Sequence, residues 1–282
     1  MIVHLIDGTY ELFRHFYGLR RFHKTDPPFG AVTGVLNTIG KMIEDGATHI
    51  GVATDHVIES FRNELWPGYK TGAGIERALR AQFHPLEEAL AAMGVVVWPM
   101  VEFEADDALA AAADLAARDK KVEKVCIWTP DKDLSQCVVE DRVVQIDRRK
   151  DEIRNAAAVR AKFGVAPEFI PDYLALVGDS ADGYPGLPGF GPKTAARLIN
   201  GHGHIEDFPA ELLSDTNREL ALLFKNLATL RTDAPLESPT NGATTSVGKL
   251  RWHGPKSSFT DWVERIGEKR IGVRVEKLSA RI

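Results

Sequence analysis

Cysteine is nearly absent from this 282-residue chain. Only Cys126 and Cys137 occur, too few for a disulfide framework or a four-thiolate zinc site, so a reducing, cytoplasmic setting is expected. Long apolar runs are missing too: none approaches the ~20 residues that cross a bilayer. Residues 1–8, MIVHLIDG, lack a basic leader region, so neither membrane association nor a secretory leader is expected. No internal repeat or low-complexity tract is present, and 24 Gly with 15 Pro is ordinary usage, which excludes collagen-like and disordered classes. Positive charge is in short supply, 35 Lys and Arg against 40 Asp and Glu. By itself that balance argues against a nucleic-acid partner, unless the acids are gathered in one place.

What is present is a hydrophobic fraction of 44%, enough for a sizeable core. Short β-rich runs at 2–6, 48–54, 95–100 and 122–129 predict strands, with a fifth at 142–147. Val32, Val35, Leu36, Ile39 and Ile43 fall at helical spacing between the first two runs. An Ala-rich helix with an acidic start and a basic end, residues 104–120, links the third run to the fourth. This alternation predicts an α/β domain with a mostly parallel sheet over residues 1–165. Beyond it, helical patterns separated by Gly and Pro predict a small helical domain with a C-terminal extension over 166–282. The last 34 residues, with nine Lys or Arg against four acids, read as a solvated basic tail.

Each of the first four predicted strands runs into an acid: Asp7, Asp55, Glu104 and Asp131. In an open parallel sheet the carboxyl ends of the strands form one ligand-binding edge, so these acids should meet there. Asp106 and Asp107 join Glu104 in EADD, Asp133 joins Asp131 in DKD, and Asp179 and Asp182 in GDSAD lie i, i+3 on an expected helix. Nine converging carboxylates repel, by about 4 kcal/mol for a pair at 4 Å and an effective dielectric of 20, so they must take up protons or hold cations. A set without His or Cys selects hard ions such as Mg²⁺ or Mn²⁺. Setting the nine aside leaves 31 acids against 35 bases, and the objection to a nucleic-acid partner weakens. The turn GLPGFGPKTA is no Walker loop, since Pro192 separates Gly191 from Lys193. Gly189, Gly191, Lys193 and Thr194 instead suit a helix start that holds a phosphate. Tyr10 and Arg14, on the first helix, are candidates for base stacking and phosphate contact.

The segments DGTYELFR, ATD, FRNELWPGYK, EADD, TPDKDL and GDSADGYPGLPGFGPKTA occur in this order, and together they resemble the 5′ nuclease family, which includes the N-terminal domain of bacterial DNA polymerase I, phage 5′ exonucleases and flap endonucleases. The likeness covers roughly residues 1–235. It implies a PIN-like core, a helix-three-turn-helix module that binds duplex, and hydrolysis of DNA near a 5′ end, flap or branch by two or more divalent ions. The metal carboxylates it implies are Asp7, Asp55, Glu104, Asp106, Asp107, Asp131, Asp133, Asp179 and Asp182; of these we expect Asp106, Asp131 and Asp133 around the more tightly held ion, Asp179 and Asp182 at the second ion or acting through bound water, and Asp7 and Asp55 further out. Lys70 and Arg62 are implied as catalytic cations at the scissile phosphate, residues 71–93 as an arch, and K⁺ as a ligand of the helix-three-turn-helix. A stand-alone monomer is expected. Ala73 stands where relatives often carry Arg. Two other readings stay open: a PIN-type ribonuclease, which would not need the helical module, and a catalytically silent binder of branched DNA, which should have lost acids.

Overall fold

The computed structural model describes residues 1–20, 26–239 and 241–280. Its strands are β1 (Ile2–Asp7), β2 (His49–Asp55), β3 (Val96–Met100), β4 (Lys124–Trp128), β5 (Val143–Asp147) and β6 (Glu152–Arg154), plus a ribbon of β7 (Glu237–Ser238) and β8 (Gly242–Ala243). The helices are α1 (Gly8–Leu19), α2 (Gly30–Glu44), α3 (Arg62–Leu65), α4 (Arg77–Arg80), α5 (Phe83–Ala92), α6 (Ala105–Arg118), α7 (Ala156–Phe163), α8 (Ile170–Val177), α9 (Pro192–His202), α10 (Asp215–Ala228), α11 (Phe259–Ile266) and α12 (Lys269–Ser279).

The main sheet has the order β3-β2-β1-β4-β5-β6. Only β6 is antiparallel, so the α/β, mostly parallel expectation is met. The order reverses between β1 and β4, and at such a switch point the strand ends leave a crevice. One face of the sheet, with Ile6, Ile50, Val52 and Val97, is buried under the α2 stripe Val32, Val35, Leu36, Ile39 and Ile43. The other, with Val3, Leu5, Val125 and Ile127, lies under Ala108, Ala112 and Ala116 of α6. Small Ala side chains let that helix approach the sheet closely while keeping high helix propensity. A third cluster joins α7 to α10, with Leu174, Leu198, Ile199 and Phe224 at its centre. No helix among the described residues is long and apolar enough to cross a membrane.

Two expectations are corrected. The C-terminal segment is not a solvated tail on the helical module. Phe259, Trp262, Ile271, Val275 and Leu278 are buried in the same cluster as α2 and α5, and the Trp252 indole donates to the Met93 carbonyl at 2.9 Å. The 271, 275, 278 spacing puts three apolar residues on one face of α12, with most of its charge elsewhere, so a basic composition concealed an amphipathic helix. Of the expected arch, residues 71–93, the α5 part is also core: Phe83, Leu86, Ala89 and Leu90 are buried. Gln82, at its start, accepts from the Ala31 and Val32 amides at 3.0 and 3.3 Å and so satisfies donors of the first turn of α2.

Candidate active site and metal centre

The strand-end acids meet as the topology requires. Asp7 closes β1 and caps α1, its Oδ1 accepting from the Tyr10 amide at 2.8 Å and its Oδ2 from the Thr129 hydroxyl at 3.0 Å. Asp55 closes β2 and accepts from the Ala105 amide at 2.9 Å, which fixes the start of α6 beside it. That helix start carries Glu104 and Asp106 to the same edge. Beyond β4, Asp131 accepts from the Asp133 amide at 3.0 Å. Asp131 is exposed, whereas Asp133 is buried.

The helical module supplies the remaining pair, though not from a helix. α8 ends at Gly178, and Asp179 to Tyr184 form a tight turn in which these two residues exchange backbone hydrogen bonds of 2.8 and 3.0 Å. The i, i+3 helical reading of Asp179 and Asp182 is therefore corrected, yet the turn gathers both carboxylates. Carboxylate oxygens of Asp133, Asp179 and Asp182 all lie within 4.8 Å of one another. Gly183 permits this approach. Its φ is +84°, and a Cβ there would stand 2.0 Å from the Gly68 carbonyl oxygen. Across the same contact the Lys70 amide donates to the Asp182 carbonyl at 2.9 Å.

Crowding leaves its mark on the protonation of these groups. Burial, reinforced by Asp55 and Asp131 and only partly offset by hydrogen bonds from Tyr10 and Thr129, pushes Asp7 up to about 7. Burial and then Asp179, Glu104 and Asp131 push Asp182 up to about 6, against the pull of Lys70. Asp55 is raised by burial. Asp106 and Asp133 are raised well above the carboxylate range, by burial first and Asp131 second. Glu104 goes the other way: burial would raise it, but Lys70 and Arg62 outweigh that and hold it low. Asp133 Oδ1 is buried without a hydrogen-bond partner among the described residues. Such an orphaned acceptor is costly, and an all-oxygen set around it fits a hard divalent cation.

These shifts give a pH prediction. A carboxyl raised in the folded state keeps a proton that the unfolded chain releases near pH 4, so metal-free stability falls as pH rises through that interval. The metal-free melting temperature should drop between about pH 5 and 7.5, and saturating Mg²⁺ should flatten the drop. A metal-free melting temperature that is flat or rising with pH would show that the acids are not crowded.

Two residues expected at the chemistry serve another purpose. Arg62 is buried, its Nη1 and Nη2 each donating to Asp107 at 2.7 Å, its Nε to the Leu227 carbonyl at 2.8 Å and its Nη2 also to the Thr229 carbonyl at 3.1 Å. A guanidinium so enclosed is a clasp between core and helical module, not a phosphate ligand. Asp107, fully buried, also accepts from the Glu104 amide at 3.0 Å and the Arg231 amide at 2.8 Å. Four donors fill its four acceptor positions, so the expectation of a metal ligand at Asp107 is corrected.

Lys70 is half-buried in the cluster, with Nζ 2.8 Å from Glu104 and 3.0 Å from Asp182. Glu104 is further held by the Ser60 hydroxyl at 2.7 Å and the Tyr69 hydroxyl at 3.3 Å. A second ammonium was not singled out from sequence: Lys132, inside DKD, reaches Asp179 at 2.7 Å. Its one signal is a positive charge between two acids.

Away from the acids, Gly191 caps α9, Pro192 opens it, and Lys193 is exposed at its first turn beside half-buried Thr194. Gly189, exposed, has φ +86°. Tyr10, Arg14, Phe13, Tyr17 and Arg149 line one cavity of about 430 Å³ on α1. The Tyr10 hydroxyl is buried and has no partner among the described residues, while Arg14 is held by Glu11 and Thr38.

Comparison with known proteins agrees with this architecture. Residues 2–164 match the family model for the 5′-3′ exonuclease N-terminal resolvase-like domain, and residues 165–249 that for the 5′-3′ exonuclease C-terminal SAM fold. A 5′-3′ exonuclease of Aquifex aeolicus is 32% identical over 245 residues, covering 83% of each protein. DNA polymerase I of Rhizobium leguminosarum is 35% identical over 254 residues, which is 83% of this chain but 25% of that protein; the chain thus spans about a quarter of the polymerase relatives it matches. Among solved structures, T5 5′-exonuclease with bound zinc superposes with a TM-score of 0.65 at 19% identity, covering 99% of this chain and 98% of that one. The catalytic core of Rad2 in complex with a DNA substrate gives 0.59 at 15%, covering 98% and 91%. At such identities the two structures speak for the fold.

Proposed function

The chain belongs to the 5′-3′ exonuclease family, and from that membership we propose that it is a divalent-metal-dependent, structure-selective 5′ nuclease that hydrolyses DNA phosphodiesters at a 5′ end, flap or branch. The observation that carries this reading is the buried, unpartnered Asp133 Oδ1 inside a ring of carboxylates drawn from both the sheet edge and the helical module. Asp106, Asp131 and Asp133 would hold one Mg²⁺ or Mn²⁺, and Asp179 and Asp182 a second, with Asp7 and Asp55 behind them. When bound, such ions supply Lewis acidity at the phosphate and lower the pKa of the attacking water.

The protein's own groups position the substrate. Lys70, anchored by Glu104 and Asp182, presents an ammonium to a phosphate oxygen whose charge grows in the transition state. The turn from Gly189 to Thr194 offers backbone amides and the Lys193 ammonium to a duplex phosphate, and the α1 cavity offers Tyr10 and Arg14 to an unpaired nucleotide. The helical module favours this reading over a PIN-type ribonuclease, and the retained acids favour it over a silent binder.

Incubation with 5′-flap, nicked, blunt and single-stranded DNA in Mg²⁺ or Mn²⁺ tests the proposal. Metal-dependent release of products from the 5′ side is expected. Absence of DNA hydrolysis at millimolar metal, with RNA cleaved instead, would replace it with the ribonuclease reading.

Binding should separate from cutting at Lys193. Lys193→Ala should weaken binding about equally for all sequences, since phosphate contacts carry no base information, and flatten the log–log salt dependence by about 0.9. Turnover at saturating enzyme should change less than affinity. A metal-free 5′-flap duplex titrated over a salt series gives the slope, and an unaltered slope with unaltered affinity would reduce this turn to a structural element.

A further inference from the structure

Lys132 and Lys70 cross from the nuclease core to the same turn of the helical module, but they are held differently. Lys70 is shared between two carboxylates, Glu104 and Asp182. Lys132 pairs with Asp179 alone among the described residues. Asp179 is itself buried, with Oδ1 fixed by the Ala181 amide at 2.9 Å, so that Oδ2 faces Lys132 at 2.7 Å. Carboxylate oxygens of the neighbouring Asp133 and Asp182 stand within 4.8 Å of Asp179's, and the Asp133 Oδ1 has no donor among the described residues.

A dication entering this group meets a positive charge already seated on one of its ligands. We propose that Lys132 is a tethered counter-ion, a positioning residue that holds the Asp179 carboxylate in the cluster before a divalent ion binds and must yield it when one does, and that it thereby sets the affinity of the second ion's site, where Asp179 and Asp182 stand beside Asp133. The inference rests on the metal reading given above. Its direction follows from Coulomb's law: removing a positive charge beside a cation site strengthens cation binding, and the loss of the pair leaves three close carboxylates less compensated when metal-free.

The test uses the full chain and Mn²⁺ alone, with free Mn²⁺ counted by paramagnetic resonance and melting followed with and without the ion. Lys132→Met should bind Mn²⁺ at least about tenfold more tightly. It should melt lower than the parent without metal and gain more from Mn²⁺ than the parent does. Lys132→Arg, which keeps the charge, should resemble the parent. In a chain that already carries Asp179→Asn, adding Lys132→Met should raise Mn²⁺ affinity by less than it does in the parent, since no Asp179 carboxylate remains for the ammonium to occupy. If Lys132→Met does not fold without metal, Lys132→Gln keeps a hydrogen bond to Asp179 without the charge and gives the same readout. Equal or weaker Mn²⁺ affinity in the uncharged variant, with both melts lowered by the same amount, would overturn the inference and leave Lys132 purely structural. No Mn²⁺ binding by the parent at millimolar concentration would instead overturn the metal reading beneath it.

Discussion

Asp133→Asn is expected to cut DNA at least about a hundredfold more slowly than the parent, a loss of about 2.7 kcal/mol of transition-state stabilisation, while its metal-free form melts higher. Both effects come from one carboxylate. Asp133 is buried beside Asp131, Asp179 and Asp182, which together with burial hold its proton on; an amide is neutral at no cost, so the metal-free fold gains. The same neutrality removes a ligand charge from the proposed metal site, where charge neutralisation accounts for several kcal/mol of the barrier. Turnover at saturating Mg²⁺ and paired melts with and without metal measure the two halves. Near-parent turnover would place Asp133 outside the chemistry, and a lower metal-free melting temperature would show that its carboxyl is not a burden on the metal-free fold.

Arg62→Met should cost about 3–5 kcal/mol of folding free energy, because it leaves Asp107 charged and uncompensated in a fully buried position. The double variant Arg62→Met, Asp107→Asn should recover part of that loss, since it removes the stranded charge while keeping an acceptor for the Glu104 or Arg231 amide. Denaturant midpoints at unchanged slope give the comparison. A loss below about 1 kcal/mol for the single variant would mean that the buried pair contributes no more than an exposed one. Arg62 also lies 3.3 Å from Glu104, the anchor of Lys70, so the folded fraction of the variant should cleave poorly as well.

Much of this arrangement is legible in the sequence, and the illegible parts have physical reasons. The strands ending at Asp7 and Asp55 and the buried stripe of α2 declare themselves because periodicity is a local property. The convergence of acids follows from topology, one step further. Arg62 and Asp107 mislead because a motif shows charge and not accessibility: the fork that removes both from the chemistry joins positions 45 apart, and the Leu227 and Thr229 carbonyls that complete it lie 165 and 167 residues from Arg62. Asp179 and Asp182 mislead differently. Spacing of i, i+3 suits a helix and a turn alike, and the positive φ of Gly178 decides for the turn. Composition hides α12, whose apolar face is three residues in a basic stretch, and β6 is only three residues long.

The return of α11 and α12 to the core has a consequence for how the chain is made. Because the cover for α2 and α5 comes from residues 259–278, the first domain leaves the ribosome with that apolar face bare. About 125 residues separate the end of β6 from the end of α12, and at 5–20 residues per second their synthesis takes roughly 6–25 s. Throughout that interval the nascent chain carries a finished sheet and an unfinished surface. A chaperone that binds exposed apolar helices has its window there, and synonymous codons that slow translation after residue 154 should lengthen it and raise aggregation without altering a single amino acid.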